Sequence, residues 1–339
     1  MMFRRIATTV VVLASAFVVP AVASPVNEAG DRRPAPVSEA GGRWPATVSG
    51  VTADRYPEGV TWDPTRQAFL VGSMATGRIN VVDKAGRVRV LVQQAPGVST
   101  FGLHVDAVRN RFLVTYADIG NGEGSTPATT YRQSGVAIYN LRTGRLQHRV
   151  DLNTPHLNPA GGKHGANDLA IDRAGNAYVT DPAADAIYRI TPTGKASVLV
   201  RDPRLQGTSI GMNGIVWDPA GYLLAVQYDS GRLFRITLRG QISQVKLAQP
   251  LVGGDGLALT RDRRLVVVTN ALGAPGADRV SVLRSSDDYR SAQVVSAKPL
   301  PIAGPTTVAL SPHGAYVLSG RIDVLLGGGQ SDQFDLQRV

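Results

Sequence analysis

The chain has 339 residues, 43% of them hydrophobic, and a formal net charge of +10. It contains no cysteine, which excludes thiol catalysis and thiolate metal sites. The basic residues are scattered and form no stripe with interleaved aromatic residues. The composition therefore argues against nucleic-acid binding and favours a mildly basic, solvated surface.

The N-terminal residues have the composition of an export signal. Arg4 and Arg5 precede an apolar stretch at 6–19 and a set of small residues typical of a cleavage site, which predicts a signal peptide over 1–23. The apolar stretch is shorter than the ~20 residues that a membrane-spanning helix needs. Residues 24–43 are rich in Pro, Ala, Gly and Glu and are predicted to form a disordered tether. We therefore predict a secreted or periplasmic bacterial protein, with no membrane partner after signal cleavage.

Residues 44–339 are predicted to form one all-β domain. Short runs rich in Val, Ile, Leu and Tyr alternate with Gly, Asp, Asn and Pro, and no convincing helix is found. One apolar segment recurs six times and begins at these residues: Gly59, Gly102, Asp168, Gly214, Gly256 and Thr307. The spacing is close to the roughly 40 to 50 residues of a four-stranded propeller blade, apart from a longer interval between the second and third segments. The repeat therefore predicts a six-bladed β-propeller.

Two further features of the repeat concern the ring. The long interval contains Gly-, Pro- and Thr-rich insertions at about 119–133 and 152–166, which are expected to be loops over one mouth of the central channel. The last unit is too short for four strands. We expect a strand from about residues 45–52 to complete it and to close the ring.

The residue just before each repeated segment defines a candidate site. The innermost strand of a propeller blade runs beside the central channel, so these residues should meet at one channel mouth. Four of the six carry a side-chain oxygen: Glu58, Asn167, Asn213 and Asp255. Such a set suits Ca²⁺, with Mg²⁺, Mn²⁺ or Zn²⁺ as alternatives. The competing interpretation is that Asn-Gly and Asp-Gly are turn residues. It does not explain why four of the six repeats have a side-chain oxygen at the same position.

Further candidates lie near the same mouth. Phe101 occupies the equivalent place in the second blade and is expected to form an apolar wall. His164 either reaches the substrate or is an exposed loop histidine, and Asp181 either contributes to the site or is a turn residue. The far ends of the second strands place Tyr228 and Asn270 nearby. We count the first three of these residues as candidate substrate-binding residues.

The motifs around the site resemble those of a known family. They are these strings: Pro57-Glu58-Gly59, Asn167-Asp168-Leu169-Ala170-Ile171-Asp172, Met212-Asn213-Gly214 and Gly254-Asp255-Gly256. Over most of residues 50–330 the chain resembles the SMP-30/gluconolactonase family, calcium-dependent phosphotriesterase-like propellers related to the paraoxonases. The resemblance implies that Glu58, Asn213 and Asp255 bind a divalent metal and that Asn167 binds metal or substrate. It also implies hydrolysis of lactones or, as in some members, of organophosphate esters.

The resemblance implies a mechanism as well. Asp255 would be the general base that takes a proton from attacking water, or would be a metal ligand only. One departure from the family pattern concerns Gly165, because sugar-lactone members often carry an arginine at this place. The departure argues against a sugar-acid lactone as substrate and leaves a more apolar lactone or ester open.

These observations lead to two hypotheses of different class. The first is a secreted, divalent-metal-dependent hydrolase that acts as a monomer on a small-molecule lactone or related ester. The second is a non-catalytic binding or interaction propeller in which the same residues hold a structural metal. A streptogramin-lyase-like enzyme would share the fold, but it would need a histidine-centred site, and no histidine recurs with the repeat.

Overall fold

The computed structural model describes residues 43–93, 95 and 97–339. The signal peptide predicted for 1–23 and all but the last residue of the tether predicted for 24–43 lie outside the described residues. Within the described part of the chain, no helix is both long and apolar enough to cross a bilayer.

The described strands form six four-stranded antiparallel sheets, one for each predicted blade. The first strand is β1 (Thr47–Val51), which belongs to blade six. Blade one contains β2 (Val60–Asp63), β3 (Ala68–Val71), β4 (Ile79–Val82) and β5 (Val88–Val92). Blade two contains β6 (Ser99–Asp106), β7 (Arg111–Ala117), β8 (Ser134–Asn140) and β9 (Leu146–Asp151). Blade three contains β10 (Leu169–Ile171), β11 (Ala177–Thr180), β12 (Ala186–Ile190) and β13 (Ala196–Arg201).

The second half of the ring repeats the same plan. Blade four contains β14 (Met212–Asp218), β15 (Tyr222–Gln227), β16 (Leu233–Thr237) and β17 (Ile242–Gln244). Blade five contains β18 (Gly254–Leu259), β19 (Leu265–Thr269), β20 (Arg279–Arg284) and β21 (Gln293–Pro299). Blade six contains β22 (Pro305–Ser311), β23 (Gly314–Ser319) and β24 (Gln333–Arg338), followed by β1. The fold is therefore the predicted six-bladed β-propeller.

The inner strands close into a ring. Each contacts the inner strand of the next blade, in the cyclic order β2, β6, β10, β14, β18, β22 and back to β2. Blade six takes its outermost strand from the start of the domain, because β1 pairs with β24 in the register Val48↔Leu336. This pairing confirms the predicted closure by residues near 45–52, and it joins the two ends of the domain in one sheet.

The core lies between the blades. Alternate residues of a strand point to opposite faces, so each blade presents an apolar face to both neighbours. Between blades four and five, Leu224 and Val226 pack with Leu257, Val267 and Leu283. Packing of this kind holds the inner strands at fixed places around the channel, and it thereby places the residues that precede them.

The glycines of the repeat have a steric cause. A Cβ atom on Gly59 would lie 1.9 Å from the carbonyl oxygen of Phe101, and one on Gly214 would lie 2.0 Å from that of Asp255. Neighbouring inner strands therefore touch backbone to backbone where the site residues begin. In blade three Asp168 replaces the glycine, and its Oδ2 accepts a hydrogen bond of 3.2 Å from the backbone N–H of Ile215 in blade four.

Replacing Gly214 with Ala is therefore expected to lower the free energy of unfolding by about 2–3 kcal/mol, because the added methyl group has to displace backbone. The shift would also move Asp255. Gly165→Ala is the matched control, since a Cβ there meets only Ile119 Cγ2, at 3.7 Å. Chemical denaturation measures the free energy of unfolding of both variants. An equal decrease in the two would contradict the steric explanation.

One short helix departs from the sequence analysis, which found none. The described residues contain α1 (Ile322–Leu326) between β23 and β24, together with 3₁₀ turns at Ala107–Arg109 and Pro203–Leu205. A helix of five residues is too short to show a 3.6-residue apolar period, which is why the pattern did not predict it.

Candidate functional site

All six residues that precede the repeated segments line one cavity of about 540 Å³ at a mouth of the channel. They are Glu58, Phe101, Asn167, Asn213, Asp255 and Thr306. The phase of the repeat thus brings together side chains that are far apart in the sequence. Both predicted insertions reach this mouth as well, since Ile119 and Tyr131 of the first and Lys163 of the second line the cavity.

The two carboxyl groups of the site are buried, and neither forms an ion pair with a basic side chain of the described residues. Glu58 is 8% and Asp255 5% exposed. Burial raises the pKa of Glu58 well above its ordinary value, and the charges of Asp255 and Asp168 raise it further, while the Asn167 side chain lowers it. Burial likewise raises the pKa of Asp255, and the neighbouring Asp168 adds to this. The site is therefore electrostatically suited to a positive ion.

The residues present fit a divalent cation. The Oδ1 atom of Asn213 is buried and has no hydrogen-bond partner within the described structure. A buried acceptor left without a donor costs roughly 1–3 kcal/mol, and a cation beside it would remove that cost. The described residues hold no cluster of three or more His, Cys, Asp or Glu arranged for a metal. A metal here would consequently depend on the amide oxygens of Asn213 and Asn167 as well as on the two carboxylates.

A hydrogen-bond chain fixes the orientation of Asp255. Asn270 Nδ2 donates to Asp255 Oδ2 at 2.7 Å and to the Pro305 carbonyl at 2.8 Å. The Tyr228 hydroxyl donates to Asn270 Oδ1 and accepts from the Gly273 backbone N–H at 2.9 Å. Tyr228 and Asn270, which the strand phase placed near the site, therefore hold one oxygen of Asp255 in place. No hydrogen bond among the described residues engages its other oxygen, Oδ1.

Three threonine hydroxyls support the site residues from the neighbouring blades. Each donates to a main-chain carbonyl: Thr115 to Asn167, Thr180 to Asn213 and Thr306 to Glu58. The sequence analysis did not identify these contacts. For Thr115 and Thr180 the signal in the sequence is a threonine at the same phase of β7 and β11, which is also a common strand residue. Thr306 is one of the six residues that precede the repeated segments.

His164 and Asp181 lie behind the cavity wall. They are 1% and 0% exposed, so neither an exposed loop histidine nor a side chain on the cavity surface describes them. His164 Nδ1 and Asp181 Oδ2 form a hydrogen bond of 2.7 Å, and Asp181 Oδ1 accepts from the Gly165 backbone N–H at 2.9 Å. The pair thus anchors the segment that leads to Asn167, and Asp181 Oδ1 also accepts from the Ala183 backbone N–H at 3.0 Å, in agreement with the turn interpretation. Substrate binding by the pair stays a prediction.

Replacing Asp181 with Ala is expected to lower the free energy of unfolding by about 3 kcal/mol, because two buried donors, on His164 and Gly165, lose their acceptor. It should also weaken metal binding through Asn167. Denaturation and calorimetric metal titration measure the two effects. Asp262→Ala is the control, since Asp262 forms a surface ion pair with Arg264; a variant of Asp181 as stable as this control would contradict the anchoring role.

A second cavity, of about 440 Å³, lies along the inner strands. Its lining includes His104, Trp217 and Asp168 but none of the four predicted metal-binding residues. Burial raises the pKa of Asp168 to about 7. The charge of Asp168 also raises the pKa of Glu58 and of Asp255. This residue of the second cavity therefore acts electrostatically on the two carboxyl groups of the first.

The fold and site together define a six-bladed propeller with an oxygen-lined cavity on its axis. Residues 56–274 match the SMP-30/Gluconolactonase/LRE-like region, so the chain belongs to this family, as the sequence motifs predicted. The matched range includes Glu58, Asn167, Asn213 and Asp255. No protein of curated function matches the chain by sequence.

Several solved structures are similar in fold. The Malassezia sympodialis allergen Mala s 1 superimposes with a TM-score of 0.69 at 22% identity, covering 86% of this chain and 95% of the allergen. A gluconolactonase from Xanthomonas campestris gives 0.58 at 16% identity, covering 84% and 86%. Virginiamycin B lyase from Staphylococcus aureus gives 0.54 at 14% identity, covering 86% and 99%. At these identities the similarity establishes the architecture alone.

Proposed function

We propose that the protein is a divalent-metal-dependent hydrolase of a lactone or related ester. The observation that carries the proposal is that one cavity is lined by two buried carboxylates and by Asn213, whose buried Oδ1 has no hydrogen-bond partner among the described residues. Membership of the gluconolactonase-like family supports it. We also propose that the protein is exported and acts as a monomer on a small molecule.

Glu58, Asn213 and Asp255 would hold the cation, and Asn167 would bind the cation or the substrate. Carboxylate and amide oxygens are hard ligands, which favours Ca²⁺ and allows Mg²⁺ or Mn²⁺. Zn²⁺ is a weaker candidate, because it prefers nitrogen and sulfur ligands and no histidine lines this cavity among the described residues.

The chemistry follows from the arrangement of the residues. A bound divalent cation would supply Lewis-acid polarisation of the substrate carbonyl, worth several kcal/mol. Asp255 accepts a proton from a water molecule while the oxygen of that water bonds to the substrate carbonyl carbon. The ester C–O bond then breaks, and the proton is returned to the leaving oxygen. Asn270 keeps the Asp255 carboxyl group in one orientation for this transfer.

The volume of the cavity argues against a purely structural ion site. A propeller that held its ion only for stability would need no space beside it, whereas here about 540 Å³ adjoins the candidate ligands. This volume is within the range of small-molecule sites, which is roughly 300–1,000 Å³.

The test uses purified protein stripped by a chelator and reloaded with Ca²⁺, Mg²⁺, Mn²⁺ or Zn²⁺. We expect one cation per chain and hydrolysis of lactones or aryl esters that returns with one of the metals. Full hydrolysis in excess chelator would overturn the metal dependence. Metal binding without hydrolysis of any lactone, aryl ester or phosphotriester would favour the non-catalytic binding propeller instead.

A further inference from the structure

Part of the cavity lining is an apolar surface. Six side chains from both halves of the ring form it: Met74, Phe101, Ile119, Leu272, Ile322 and Leu326. We call these residues the apolar wall. Most of them belong to one packed cluster, in which Ile322 and Phe101 are buried. Leu326, at the end of α1, is 53% exposed although it is a large hydrophobic residue. Water therefore faces apolar surface that a ligand could cover.

Polar side chains also line this cavity, among them Asn121, Gln206 and Ser209, while others there are already engaged. The Thr208 hydroxyl donates to Asp229 Oδ2 at 2.7 Å, and the backbone N–H groups of Thr208 and Ser209 bond to the same oxygen. Gly165 belongs to the cavity lining but contributes no side chain to it. The basic residue among the described lining residues is Lys163, whose ammonium group lies 4.8 Å from the centroid of the Tyr131 ring.

From the apolar wall we propose that the substrate is a lactone or ester with an unbranched alkyl chain of several carbons. The carbonyl end lies at Glu58, Asn213 and Asp255, and the alkyl chain covers the apolar wall. The inference rests on the proposed hydrolase function and names its substrate class. Burial of apolar surface drives binding in proportion to the area removed from water, so each added methylene that reaches the wall should strengthen binding.

The experiment measures kcat/KM of the metal-loaded protein for γ-lactones whose alkyl substituents grow from none to hexyl, with glucono-δ-lactone for comparison. We expect kcat/KM to rise about threefold to fourfold per methylene until the wall is covered. The sugar lactone should be a poorer substrate than the longer alkyl lactones. Values that stay flat or fall with chain length, with the unsubstituted lactone still hydrolysed, would overturn the alkyl-chain inference and leave the hydrolase intact.

Two variants locate the effect. Leu326→Gln is expected to lower the ratio of kcat/KM between the hexyl and the unsubstituted lactone by roughly fivefold, because it interrupts the apolar wall. Leu146→Gln is the matched control: Leu146 is 52% exposed but lies on β9, outside the cavity, and its variant should keep the wild-type ratio. Equal ratios in the two variants would contradict the role of the wall. Both positions are half-exposed, so the variants should fold, which thermal unfolding checks.

A binding measurement separates the two proposals. Alkyl-substituted γ-lactams have the shape of the lactones but a stable amide, and calorimetry gives their affinity without turnover. If no lactone is hydrolysed but lactam affinity rises with chain length, the hydrolase proposal fails and the alkyl site stands. If lactam affinity is independent of chain length, the alkyl site is overturned whatever the activity.

Discussion

Replacing Asp255 with Ala is expected to lower kcat for lactone hydrolysis by at least about 10³-fold, because the variant loses both a metal-binding oxygen and the base. The propeller should stay folded. Asp255 is a buried carboxyl whose burial raises its pKa, so its removal relieves a desolvation cost. Asn270 Nδ2 keeps its hydrogen bond to the Pro305 carbonyl in the variant. Steady-state kinetics and circular dichroism measure the two outcomes.

Asp255→Asn distinguishes the metal-binding role of this residue from its role as the base. The amide retains an oxygen that can bind the cation but cannot accept a proton at neutral pH. We expect this variant to bind the metal and to remain inactive. Wild-type rates in the metal-loaded Asn variant would exclude Asp255 as the base, and Asp262→Asn, at an exposed surface position, serves as the control for removal of a carboxylate.

Removal of the divalent cation is expected to destabilise the protein much more at pH 8 than at pH 5. Burial raises the pKa of Glu58 and Asp255, and that of Asp168 from 3.8 to about 7. A carboxyl group with a raised pKa binds its proton more tightly in the folded chain than in the unfolded one. Its contribution to stability is therefore complete below about pH 4 and is lost as the pH rises through the folded-state pKa. A cation compensates the charges that then appear.

The measurable quantity is the difference in Tm between the metal-loaded and metal-free protein. We expect it to grow by roughly 5–10 °C between pH 5 and pH 8. Glu58→Gln should reduce this growth, because it removes one of the buried charges. Glu123→Gln is the matched control, since Glu123 is an exposed partner of Arg55. A Tm difference that does not depend on pH would show that the carboxylates ionise without cost.

The architecture was predictable because it repeats. Six segments at nearly constant spacing determine six blades, and the short last unit requires a strand from the other end of the domain, which is β1. The same periodicity placed Glu58, Asn167, Asn213 and Asp255 at one channel mouth, since equivalent positions of a ring face one axis. Repetition supplies many observations of one position, and turn chemistry at any single position would not have been enough.

The parts of the site that break the repeat were not predictable. The pairing of His164 with Asp181 depends on how the insertion folds back onto blade three, and the sequence contains no periodic signal for that. Apart from Phe101 on β6, which its place in the repeat predicted, the apolar wall is assembled from segments outside the strands, including α1, whose five residues show no helical pattern. Side-chain direction in such segments is decided by tertiary packing, which local sequence does not encode.

The most direct test of the central claim is a calorimetric Ca²⁺ titration of chelator-stripped wild-type protein and of Asn213→Leu. Replacing a buried, unpartnered amide oxygen by an apolar group of similar size is nearly neutral or stabilising without metal. We therefore predict one Ca²⁺ per wild-type chain, together with an affinity at least about tenfold weaker in a variant whose metal-free Tm is unchanged or higher. Equal affinity in the two proteins, or no binding by the wild type, would contradict the shared cation site.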